Sequence, residues 1–76
     1  MKLVHYKQKV LDYIRLENNN PQNWRLYRVL NNPDIKLKRL LSDMQREGLI
    51  EIHFENDRGN VRRYLTPLRV DIMNPS

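Results

Sequence analysis

Apolar residues recur through the start of the chain at the three- and four-residue steps of an amphipathic helix: Leu3, Tyr6, Val10, Tyr13 and Ile14 share one face. This predicts a helix over 2–17. Val4 and Leu11, seven residues apart, add a second apolar stripe beside the first, wider than one small core needs. Asn18-Asn19-Asn20-Pro21 breaks the pattern, and Asn20 or Asn23 can cap the next helix. A short helix is predicted over 23–31, with Leu26, Val29 and Leu30 inward and Arg25 and Arg28 outward. Trp24 falls nearly opposite Leu26 and is expected to lie against the first helix, or else to mark a partner surface. Asn32 as N-cap, Pro33 in the first turn and Asp34 at the positive end of the dipole open a third helix, 33–47. Its Leu37, Leu40, Leu41 and Met44 form a buried stripe, and Gly48 stops it.

The period then changes to two. Ile50, Ile52 and Phe54 alternate with Glu51, His53 and Glu55, which predicts a strand over 49–55. Residues 56–60 read as a turn with Gly59 at the left-handed position. The return strand, 61–66, puts Val61, Arg63 and Leu65 on one side and Arg62, Tyr64 and Thr66 on the other. Pro67 ends it. Leu68, Val70, Ile72 and Met73 form an apolar tail, 68–73, suited to an edge strand or a second subunit. Helix, turn, helix and hairpin in this order predict one α+β domain over 1–76, a winged helix-turn-helix of three helices and a two-stranded wing. That architecture mostly reads duplex DNA.

Charge supports a polyanionic partner. Fourteen Lys and Arg against nine Asp and Glu leave the chain at +5. The excess sits on the helical half, because Glu51, Glu55 and Asp57 balance Arg58, Arg62 and Arg63 in the hairpin. There are no cysteines, no apolar run near the ~18 residues of a membrane span and no signal-peptide core, which predicts a cytoplasmic protein without membrane contact. Seventy-six residues bury a small core, so a partner or a dimer is expected to add stability.

At 100° per residue, the buried stripe of helix 33–47 points away from Ile35, Arg39, Ser42 and Arg46, with Lys36 and Lys38 at the flanks. A helix of this width fits a major groove roughly 12 Å wide. Arg39 has the planar fork that matches guanine O6 and N7. Ser42 suits a base or a phosphate, an outward Ile35 suits a thymine methyl, and Lys36 and Lys38 suit phosphates. Arg58 at the hairpin tip and Arg62 on the return strand are the candidate wing contacts at the minor groove. For a homodimer the candidates are Val4, Leu11, Leu68, Val70 and Ile72.

The run Leu40-Leu41-Ser42-Asp43-Met44-Gln45-Arg46-Glu47-Gly48-Leu49-Ile50-Glu51, with Asp57-Arg58-Gly59 and Arg63-Tyr64-Leu65-Thr66-Pro67, resembles bacterial winged-helix regulators of the multiple-antibiotic-resistance type. The resemblance covers about residues 24–67. It implies sequence-specific DNA binding, usually as a homodimer, and regulation of transcription. Lys36, Lys38, Arg39 and Ser42 carry over as helix contacts and Arg58 as the wing contact. Two positions depart from the pattern: Tyr27 fills a slot that is usually small in that family, and the turn Asn31-Asn32-Pro33 lacks the common Gly. The size suits a small regulator from a phage, a plasmid or a compact operon.

Catalysis is not expected. His5 and His53 have no metal spacing, and there is no nucleophile motif or phosphate-binding Gly loop, so neither metal nor cofactor is predicted. The rival reading keeps the fold but turns its surfaces on another protein, as in some phage and replication accessory factors. Asp34, Asp43, Glu51, Glu55 and Asp57 favour it, since they dilute the presumed DNA face.

Overall fold

A helix is buried along the line where its side chains meet the rest of the chain, and in the first helix that line runs through Lys7, Val10, Leu11 and Ile14. In the computed structural model, which describes residues 3–17 and 19–72, this helix is α1, Leu3–Leu16. Leu11 therefore belongs to the interior and is withdrawn as a dimer contact, while Leu3 is half exposed. Lys7 takes part in the buried face because its aliphatic stem packs inward and its ammonium reaches Glu47 at 2.6 Å.

α2 spans Asn23–Leu30 and begins at Gln22 without a side-chain cap, so neither Asn20 nor Asn23 plays that part. It ends at Asn31, whose φ of 52° is left-handed and whose amide donates to the Tyr27 carbonyl. Asn tolerates this conformation better than other non-glycine residues, which is how the turn dispenses with a Gly.

α3 is shorter than predicted, spanning Leu37–Arg46. Asn32 accepts a hydrogen bond from the Asp34 amide at 3.0 Å and donates to the Tyr6 hydroxyl at 3.1 Å. Its side chain thus closes a local turn instead of capping a helix, and residues 33–36 stay outside α3. At the other end Gly48 has φ 78°; its amide donates to the Gln45 carbonyl and that of Leu49 to the Met44 carbonyl. This paired closure is the glycine stop expected there.

β1, Ile50–Asp57, and β2, Asn60–Pro67, form an antiparallel pair with Ile52 opposite Leu65 and Phe54 opposite Arg63. Only Arg58 and Gly59 form the loop, both at positive φ, with the Gly59 amide donating to the Asn56 side chain. That is the primed two-residue hairpin, shorter than the predicted five-residue turn. Order and layout are α+β: three helices, then a hairpin, compatible with a winged helix.

Side chains from every element except the hairpin's outer half fill one core. It holds Val10, Leu11 and Ile14 of α1, Leu26 and Leu30 of α2, the stripe Leu37, Leu40, Leu41 and Met44 of α3, and Leu49, Ile50 and Leu65. Each aliphatic chain of this size removed from water contributes roughly 1.5–3 kcal/mol. After β2 the tail returns along α1: Ile72 packs on the core, and Gln8 accepts from its amide at 2.9 Å. Leu68 and Val70 remain exposed, Val4 is half-buried, and Met73 lies outside the described residues. No described helix is long and apolar enough to cross a membrane.

Candidate nucleic-acid interface

Burying Leu37, Leu40, Leu41 and Met44 forces the opposite side of α3 into solvent. Lys38, Arg39, Ser42 and Arg46 are exposed there, and with Lys36 and Asp43 they surround a shallow depression. Asp43 is bonded to Arg46, which spends that carboxylate locally. Among the described residues no carboxylate comes within ion-pair distance of Lys36, Lys38 or Arg39. The face thus offers two ammonium groups and a planar guanidinium to an anion, the donor set that phosphates and base edges accept.

Lys36 stands one residue before α3 in extended backbone, exposed at the helix start. Ile35 does not join it. Because α3 begins only at Leu37, the helical angle assumed for Ile35 does not apply, and its side chain packs partly buried against the core. It is withdrawn as a base contact.

The hairpin divides its arginines. Arg58 is exposed at the tip. Arg62 lies with Glu51, His53, Glu55 and Tyr64 on the sheet face opposite Leu65, bonded to Glu55 at 2.8 Å and 6.0 Å above the Tyr64 ring. Leu65 packs inward, so the Arg62 face is turned from the core side and already has a counter-ion; Arg62 is withdrawn as a wing contact. Arg63 is on the core side with Leu65, as the alternation predicts; what sequence reasoning missed is its place in a groove. It lines the groove beside α3 and donates to the Pro21 carbonyl at 2.9 Å. Burial lowers its pKa below the ordinary guanidinium value, and it stays charged.

Three aromatic side chains around this cation are exposed. Phe54 is 69 % exposed and Trp24 54 %, and Tyr27 is also open to solvent. Trp24 is not packed away against α1: the guanidinium carbons of Arg25 and Arg28 lie 5.0 and 5.2 Å from its ring centroid. The alternation predicts Phe54 facing inward, and it does share the face of Ile52. Eight-residue strands reach roughly 26 Å, further than the core extends, so Phe54 and Val61 overhang it.

No protein-family model, no curated protein and no solved structure matches the chain.

Proposed function

We propose that the chain is a winged-helix DNA-binding protein, a small transcription regulator that lays α3 in the major groove with the hairpin tip at the adjoining minor groove. One observation carries this reading: Lys38 and Arg39 on α3 and Lys36 just before it stand exposed, with no carboxylate in ion-pair range among the described residues. In this arrangement Arg39 reads a base and the two lysines hold phosphates, with Ser42 and Arg46 further along the same side. Arg58 is the wing contact. Supporting it is the net charge of +5, which draws the protein to a polyanion.

The protein acts as a homodimer in this proposal. Val4 precedes Gln8 by one helical turn, and Gln8 binds the backbone of the tail that carries exposed Leu68 and Val70. An apolar strip of this kind suits a two-fold copy, which would set two α3 helices about one DNA turn, ~34 Å, apart.

The test is a gel shift on duplex DNA across a salt series. Log affinity is expected to fall linearly with log salt, by about 0.9 per phosphate contact. Absence of duplex binding at ~50 mM salt would overturn the proposal.

A further inference from the structure

Two open clefts meet beside the hairpin. The first, about 420 Å³, runs between α3 and the hairpin's core-side face, with Leu41, Ile52, Tyr27 and Phe54 among its walls. The second lies between the start of α2 and β2, bounded by Trp24, Pro21 and Val61. Asn23 and Arg63 line both, so the two clefts adjoin and together form one path along the hairpin. Cations accompany it: Lys38 and Arg63 in the first cleft, Arg63 again in the second, and Arg25 and Arg28 beside Trp24, while Arg62 at the rim of the second is held by Glu55. Among the described residues, which include all nine Asp and Glu of the chain, no carboxylate lines either cleft.

Exposed aromatic rings spaced along a cationic, carboxylate-free path match one ligand chemistry closely. Unpaired bases present π-faces for rings, and the backbone between them presents phosphates for Lys and Arg. A duplex hides its bases in the stack and has no use for Phe54, Tyr27 or Trp24. An acidic peptide would satisfy the cations, but it brings no run of flat rings to stack on the exposed Trp24, Tyr27 and Phe54. We propose that this path is a binding site for single-stranded nucleic acid, with bases stacked on Trp24, Tyr27 and Phe54 and the backbone held by Lys38 and Arg63. The site lies beside the duplex face of α3, shares Lys38 and Ser42 with it, and does not depend on the duplex reading.

Trp24 is the sole tryptophan of the chain, so its emission reports the site directly. A short oligothymidylate titrated at ~50 mM salt is expected to bind and to quench that emission. Phe54→Ala and Tyr27→Ala, both exposed positions, are each expected to weaken single-strand binding about tenfold while duplex affinity stays within about twofold. Arg39→Ala is expected to do the reverse. Duplex binding without single-strand binding would overturn this site and leave the duplex reading standing. Single-strand binding untouched by both aromatic variants would overturn it too, as would capture of an aspartate-rich peptide by a protein that ignores oligothymidylate, which would assign the path to a protein partner.

Discussion

Lys7 Nζ lies 2.6 Å from Glu47 Oε2, a charged contact that ties the middle of α1 to the residue closing α3. The ammonium is nearly buried while the carboxylate keeps almost half its exposure. This asymmetry fixes which deletion hurts. Glu47→Ala strands a buried charge and is expected to cost about 1–2 kcal/mol, below the value for a fully buried pair because solvent screens the carboxylate. Lys7→Met keeps the stem and removes the charge, and it is expected to cost less than Glu47→Ala. Urea unfolding of the two variants orders them, and a larger loss for Lys7→Met would show that the bond itself, not the stranded ammonium, carries the effect.

Within the proposed duplex site, Arg39 and the lysines have separable roles. Arg39→Ala is expected to cost about 1–3 kcal/mol on a selected site and much less on random duplex. Lys36→Ala and Lys38→Ala are expected to weaken both equally and to reduce the salt slope. Competition binding at two salt concentrations distinguishes them; equal losses for Arg39→Ala on both duplexes would make it a phosphate contact.

Arg58 holds a φ of 52° in a two-residue loop that favours Asn followed by Gly. Arg58→Asn is therefore expected to leave stability unchanged or raise it by up to about 1 kcal/mol while lowering duplex affinity. Thermal melts and gel shifts on one preparation report both quantities. Unchanged affinity would remove the hairpin tip from the interface.

For the proposed dimer, charge placed on the exposed strip is the direct probe. Leu68→Glu and Val70→Glu alter no core residue and are expected to convert a dimer to a monomer of similar fold in sedimentation. A wild-type protein that sediments as a monomer at ~100 μM would dispose of the two-fold arrangement. Leu11→Glu is not a fair test, since it places a charge in the core and is expected to unfold the domain.

The layout of elements was legible because two glycines and a change of period mark it: Gly48 and Gly59 both have positive φ, and alternation begins at Ile50. The start of α3 was not legible. Asn32 followed by Pro33 serves a helix cap or a local side-chain turn equally well, and only the Tyr6 hydroxyl and the Asp34 amide decide between them. Ile35 was misplaced as a consequence. Lys7 escaped notice because counting apolar positions passes over a charged residue whose stem is buried. The side of Arg62 could have been read, since alternation already set it opposite Leu65. The clefts could not, because they arise from how far the hairpin overhangs the helices.

Gln45 and Asn19 stand at the two margins of the sheet. The Ile52 amide, directed away from β2, donates to the Gln45 side chain at 2.8 Å, and the Leu65 amide, directed away from β1, donates to the Asn19 carbonyl at 2.6 Å. A two-stranded sheet has nothing but edges, and free strand edges recruit other chains. Here one inner amide on each edge is bonded from within the molecule, and the outer half carries Glu55, Asp57 and Arg62. Gln45→Ala would uncover one inner amide, and its consequence would be felt less in the melting temperature than in shelf life: a concentrated solution of that variant would form β-rich aggregates sooner than the parent.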